Sequence, residues 1–75
     1  MKYFSVKCDY DSNAGKPYFF KRKHGKHDHD AQGAFVDDAK NQVVLNAGAA
    51  GLTAHDITTT QIAWGDDPGN KYEEI

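Results

Sequence analysis

Apolar side chains recur at helical spacing along the stretch from Phe35 to Leu52. At 100° per residue they fall on one narrow stripe, formed by Val36, Ala39, Val43, Ala47 and Ala50. This spacing predicts an amphipathic helix whose stripe packs against the rest of the domain. Asp37 and Asp38 fall in its first predicted turn, where carboxylates suit the positive end of the helix dipole. Gly51 follows the last apolar position and predicts the left-handed residue that ends a helix.

The N-terminal ten residues alternate between polar and apolar side chains. The apolar even positions are Phe4, Val6, Cys8 and Tyr10. This period of two predicts a strand with one buried face. Residues 11–15 are dense in turn-forming residues, and Pro17 opens a second predicted strand at 18–24. The two segments together predict a β-hairpin with a loop of about five or six residues.

The segment between this hairpin and the helix, residues 25–33, has no periodicity. The helix is predicted to start between Asp30 and Ala34, and both Asp30 and Gly33 are acceptable N-caps. After the helix, Thr53 is followed three residues later by Asp56, which predicts a single capped turn. Residues 57–64 are β-branched and aromatic and predict a third strand. Residues 65–70 form a turn, and residues 71–75 either add a short fourth strand or stay irregular.

These elements predict one α+β domain over residues 1–75, in the order ββαβ(β). The helix returns the chain across the sheet, so the third strand pairs most simply beside the first. The expected sheet is antiparallel throughout, with strand order 2-1-3-4, a central first strand and the helix covering one face. An alternative assigns residues 42–46 to a strand and gives a mostly β fold, but the helical stripe favours the helix.

Length and cysteine content narrow the class of protein. A chain of 75 residues has room for one core only. Its one cysteine, Cys8, allows no internal disulfide, which favours a reducing compartment. The alternating N-terminus has neither the apolar run of a signal peptide nor that of a membrane span. We therefore expect a cytoplasmic protein that does not interact with a membrane.

The charge of the chain is divided along its length. Residues 1–27 carry seven basic and two acidic side chains, whereas residues 28–75 carry two basic and nine acidic ones. An acidic surface can steer and orient a positively charged partner. The predicted partner-binding residues are six of these nine carboxylates together with Leu45, an apolar anchor opposite the buried stripe: Asp37, Asp38, Leu45, Asp66, Asp67, Glu73 and Glu74. This pattern favours a non-catalytic protein that binds another protein, such as a phage- or mobile-element-encoded inhibitor of a nucleic-acid-handling complex.

The second predicted strand supports a competing hypothesis, in which the protein binds nucleic acid. Aromatic rings beside basic side chains can stack on bases and contact phosphates. The residues concerned are Tyr18, Phe19, Lys21, Arg22, Lys23 and Lys26. Against this hypothesis, the chain as a whole is acidic, and basic side chains on an edge strand also serve to prevent aggregation.

A third hypothesis is a metal-dependent regulator. His24, His27 and His29 lie close together in sequence among carboxylates, and imidazoles of this kind bind zinc, nickel or copper. Their spacing matches no zinc signature. The chain contains no other cofactor motif, and the oxygen-rich segment at residues 9–15 lacks the glutamate that a calcium loop requires. No nucleophile and base are paired by a local pattern, so we expect no enzymatic activity.

Overall fold

The structure of the protein is a computed structural model that describes residues 2–11 and 16–75. The elements follow in the order β1 (Lys2–Asp9), β2 (Tyr18–Lys23), α1 (His29–Ala47), a short 3-10 turn (Ala54–Asp56), β3 (Thr58–Asp66) and β4 (Glu73–Glu74). The single helix packs on one face of a four-stranded sheet, so the predicted α+β class is confirmed. Most of the turn predicted at residues 11–15 lies outside the described residues.

The first strand is central, as its alternation predicted. It pairs antiparallel with β2, where Val6 faces Phe20, and antiparallel with β3, where Phe4 faces Trp64. Its even positions point to α1 and its odd positions to the other face of the sheet. A bulge interrupts the pairing of β1 with β3 between Ser5 and Lys7.

The predicted position of the fourth strand is wrong. β4 lies beside β2 and runs parallel to it, with Phe20 opposite Glu73, so the sheet is mixed and its order is β3-β1-β2-β4. The chain after β3 crosses the face opposite α1 instead of turning back as a hairpin. Lys21 holds this crossing segment, because its Nζ donates to Asp67 Oδ1 at 2.7 Å and to the Gly69 carbonyl at 3.1 Å.

The core lies between α1 and the two strands beneath it. Three residues of α1, one turn apart, have no exposed surface and pack on apolar side chains of β1 and β2. The fully buried residues are Phe35, Ala39 and Val43 from the helix and Phe4, Val6, Cys8 and Phe20 from the sheet. Residues 42–46 are helical, so the alternative with a strand there is wrong.

The helix begins earlier than the sequence pattern indicated. Its N-cap is Asp28, whose carboxylate accepts hydrogen bonds from the backbone N–H groups of Asp30 at 2.9 Å and Ala31 at 3.4 Å. These bonds lower the pKa of Asp28. The predicted caps at Asp30 and Gly33 are therefore wrong, because a carboxylate that bonds two free N–H groups satisfies a helix start better than either.

The helix also ends earlier than predicted. Gly48 adopts the left-handed conformation, with φ 59°, and its N–H donates to the Val44 carbonyl. Gly51 also has a positive φ, 79°, but it belongs to the turn that follows. Because α1 begins at His29, Asp37 and Asp38 lie in its middle, and the prediction that they lie in its first turn is wrong. Ala50 is exposed beyond the end of the helix. The capped turn after the helix is confirmed, since the Asp56 carboxylate accepts a 2.9 Å hydrogen bond from the Thr53 N–H.

Candidate partner-binding surface

The structure brings four of the seven predicted partner-binding residues to one place. Asp38, Leu45, Glu73 and Glu74 line an open groove of about 490 Å³ between α1 and β4, which we call the α1–β4 groove. The groove exists because β4 lies beside β2, under the outer face of the helix. Asp37 is exposed on α1 but does not line the groove. Asp66 and Asp67 lie at the end of β3, outside the groove.

Leu45 is the main apolar feature of the groove. Its surface is 74% exposed, which confirms that it lies opposite the buried stripe of α1. The helix also places Asn41 and Gln42 in the groove, one turn before Leu45. These two residues were missed, although positions 38, 42 and 45 share one face at helical spacing. The sequence therefore contained a signal for the helical wall of the groove.

Arg22 organises the floor of the groove. Its Nη2 donates to Asp38 Oδ2 at 2.7 Å, and its Nε donates to the Ile75 carbonyl at 3.2 Å. The guanidinium also lies 5.6 Å from the centre of the Phe35 ring. Asp38 is thus partly neutralised, whereas neither Glu73 nor Glu74 forms a salt bridge among the described residues. Glu73 lies opposite Phe20, on the side of α1, whereas Glu74 lies opposite Lys21, on the other face of the sheet, so the unpaired negative charge that faces α1 is that of Glu73.

The other two predicted carboxylates hold the crossing segment in place. Asp66 pairs with Lys2 at 2.8 Å, and Asp67 pairs with Lys21 at 2.7 Å. The hydrogen bond from the lysine lowers the pKa of each carboxyl. The Lys21 side chain is nearly buried, so its charge is balanced inside the structure. These two carboxylates already have basic partners, and the groove does not include them.

The residues of the basic aromatic strand do not form one surface. Alternation along β2 places Tyr18 and Arg22 on the side of α1, and Phe19, Lys21 and Lys23 on the opposite face. Phe19 is covered there by the Tyr72 ring, 5.2 Å between centroids, and by Lys71 Nζ at 4.1 Å from its ring centre. Lys26 lies in the exposed segment before α1. The aromatic and basic groups proposed for nucleic acid are therefore divided between two faces.

The histidines of the same segment pack against aromatic rings. The His24 ring stacks on Phe4 with 5.2 Å between centroids, and the His27 ring stacks nearly parallel on Trp64 at 5.6 Å. Trp64 also donates its Nε1–H to the His24 carbonyl at 3.1 Å. Sequence reasoning missed this role of Trp64, because the two residues are 40 positions apart. Within residues 2–11 and 16–75, no three His, Cys, Asp or Glu side chains are grouped so that they could hold a metal ion.

We expect that zinc and nickel leave the stability of the protein unchanged. A ligand that binds the folded state at 100 times its dissociation constant adds about 2.7 kcal/mol to the free energy of unfolding. The melting temperature with and without each metal measures this effect. The double variant His27→Ala/His29→Ala is the control for ligation. A metal-induced rise that a chelator reverses and the double variant lacks would establish a metal site instead.

The only cysteine is not available for chemistry at the surface. Cys8 has no exposed surface on the face of β1 that packs against α1. Burial raises the pKa of its thiol to about 11. Because the thiolate is the reactive form, the thiol is a weak nucleophile at neutral pH. Cys8 contributes to the core.

Comparison of the chain with protein-family models, with curated proteins and with solved structures finds no match in any of the three. Among the described residues, no helix combines the length and the apolar character needed to cross a bilayer. Only its geometry and its charge therefore support the α1–β4 groove as a binding site.

Proposed function

We propose that the protein is a non-catalytic binding protein that docks its α1–β4 groove on a positively charged surface of another protein. The observation that carries this proposal is Leu45, an exposed apolar side chain in a groove that also contains Asp38, Glu73 and Glu74. A single exposed leucine is common on protein surfaces. An exposed leucine within a ring of polar and acidic groups has the composition of a small interface, with an apolar centre and a polar rim.

The Leu45 side chain and the carboxylates contribute to such an interface in different ways. Burial of the Leu45 side chain contributes about 1.5–3 kcal/mol to the free energy of binding. The Glu73 carboxylate, which lies on the side of α1 and forms no salt bridge among the described residues, attracts a positively charged partner and orients it. Glu74 lies opposite Lys21 on the other face of the sheet and adds negative charge at the edge. Affinity therefore depends mainly on Leu45, and the rate of association depends mainly on the glutamates.

The edge of the sheet adds a second means of attachment beside the groove. β4 pairs with β2 on one side, and no strand within the described residues pairs with its other side. Because the Ile75 N–H donates to the Lys21 carbonyl of β2, it is the N–H and C=O of Glu74 that point outward, and they can pair with one residue of an extended segment of the partner. A strand bound there would lie next to Leu45.

The class of partner follows from the charge. Proteins that handle nucleic acids present basic grooves to phosphate groups, and a run of carboxylates can occupy such a groove. The acidic part of the chain, residues 28–75, has nine carboxylates and two lysines. We propose a phage- or mobile-element-encoded inhibitor of such a host complex, in which the groove contacts the basic surface of the partner.

The experiment is a pull-down from a host lysate, with and without nuclease, followed by affinity measurements with the purified partner. Leu45→Lys is expected to weaken binding at least about tenfold, because the apolar anchor is lost and a like charge is introduced. Ala50→Lys is the matched control, since it adds the same charge at an exposed position that does not line the groove. Glu73→Gln/Glu74→Gln is expected to slow association and to reduce its dependence on salt.

Two results would contradict the proposal. Capture that disappears with nuclease would assign the protein to nucleic-acid binding. Equal affinities for the wild type, Leu45→Lys and Ala50→Lys would show that the partner binds outside the α1–β4 groove.

A further inference from the structure

The longest strand of the sheet contributes no residue to the buried core. β3 has nine residues, and every one of them is exposed or only half-buried. The neighbouring strand β1, in contrast, buries four of its eight residues. A strand normally hides one face against the rest of a domain. Both faces of β3 are therefore open to further contacts.

The position of α1 explains this exposure. The helix lies over β1 and β2, and the buried cluster is formed by residues of these elements together with Ile57. Trp64 points to the side of α1, because it lies opposite Phe4, and Ile62 shares that side by alternation. Trp64 is half-buried, whereas Ile62 is 43% exposed. The apolar strip formed by Trp64 and Ile62 is thus covered by the His27 ring at Trp64 and left open at Ile62.

The outer edge of β3 is also unusual in its chemistry. β1 is the only strand paired with β3 in the described sheet, so one side of its backbone faces no strand. Residues 58–65 contain no charged side chain and no proline. Lysine, proline, bulges and very short strands are the usual means of blocking such edges, and of these β3 has only the bulge at Gln61. The opposite edge, β4, has two residues and both are glutamates.

We propose that β3 is a dimerisation strand, which pairs antiparallel with β3 of a second copy of this chain. Antiparallel pairing of a strand with its own copy has two-fold symmetry, so both copies use the same surface. The absence of charge from residues 58–65 favours an identical partner, because like charges do not face each other along this stretch. The same pairing through β4 would place glutamates against glutamates.

The dimer covers the strip that the single chain leaves open. The two sheets become one sheet of eight strands, with both helices on the same face. The Ile62 side chains then lie in the channel between the two helices, beside the edges of the half-buried Trp64 rings. The bulge at Gln61, which has φ 54°, increases the local twist of β3, and the joined sheet continues this twist. The acidic α1–β4 groove lies at the other edge of each sheet and stays accessible.

Sedimentation velocity over a concentration series tests this proposal with the full chain. The wild type is expected to move from the monomer mass of 8.3 kDa to twice this mass as its concentration rises. Ile62→Lys is expected to raise the dissociation constant of the dimer at least about tenfold, because the symmetry introduces the lysine twice. The substitution makes a net charge of −2 less negative, so general repulsion between copies cannot explain the loss.

Leu45→Lys is the matched control, since it makes the same change of charge at an exposed residue on the other side of the molecule. It is expected to dimerise as the wild type does, while it loses the protein partner. Ile62→Lys is expected to show the opposite behaviour, so failure of this inference and failure of the proposed function are distinguishable. Circular dichroism of both variants confirms that they are folded.

Hydrogen exchange provides a second measurement. Amide protection in β3 is expected to increase with protein concentration, whereas protection in β4 is not. A folded wild type that stays monomeric throughout the series would overturn the proposal. Equal dimerisation of the wild type and Ile62→Lys, or a dimer that Leu45→Lys abolishes, would also overturn it.

Discussion

Replacement of Val43 by aspartate is expected to unfold the protein. Val43 has no exposed surface and lies in the centre of the contact between α1 and the sheet. An unpaired carboxylate at this position costs about 3–5 kcal/mol. A domain of this length has a free energy of unfolding of roughly 4–11 kcal/mol, so the substitution removes most of it. Thermal unfolding followed by circular dichroism measures the loss.

Leu45→Asp is the control for this prediction. It adds the same charge to the same helix two positions later, but at a residue that is 74% exposed. Its melting temperature is expected to stay close to that of the wild type. If Val43→Asp behaved like Leu45→Asp, the face of α1 that contacts the sheet would be a different one.

The second large effect is expected from Phe35→Ala. Phe35 is fully buried at the first turns of α1, and its ring stacks on Phe4 with 6.0 Å between centroids. Removal of a buried phenylalanine ring costs about 3–5 kcal/mol, because it loses apolar contacts and leaves a cavity. Urea unfolding at equilibrium gives the change in the free energy of unfolding.

Val36→Ala separates the predicted stripe from the observed one. The periodicity placed Val36 on the buried face, whereas the structure leaves it half-buried and buries Phe35 completely. We therefore expect a cost of about 1 kcal/mol for Val36→Ala, well below that for Phe35→Ala. The reverse order of the two costs would support the stripe centred on Val36.

The spacing of apolar residues correctly predicted the first strand and the helix. The alternation of Phe4, Val6 and Cys8 predicted a half-buried strand, and these residues form the centre of the core. Ala39 and Val43 were correctly placed on the buried face of α1, and Leu45 on the exposed one. These predictions succeed because the periods of strands and helices depend on backbone geometry alone.

The ends of the helix were harder to predict from the sequence than its buried face. Several residues near each end can serve as caps, and the choice depends on how the whole chain is placed. Asp28 is the N-cap because its carboxylate reaches two free N–H groups, and Gly48 ends the helix before Gly51 is reached. The periodic pattern continued to Ala50 although the helix had already ended.

The position of β4 was decided by contacts between distant residues. Lys21 binds Asp67, which is 46 residues away, and so directs the chain across the sheet to the edge of β2. No local pattern encodes this contact, because an exposed lysine and a buried, paired one have the same sequence signature. The α1–β4 groove depends on this crossing, and so does the exposed edge of β3.

The sequence by itself therefore determined the elements and the outward position of Leu45, which follow from backbone periodicity. It also determined the central first strand, which follows from the connection through the helix. Only the tertiary structure decided which surfaces lie together. It placed Glu73 and Glu74 beside Leu45 and left β3 without a cover. Both outcomes depend on where the chain crosses the sheet, which is set by side chains far apart in sequence.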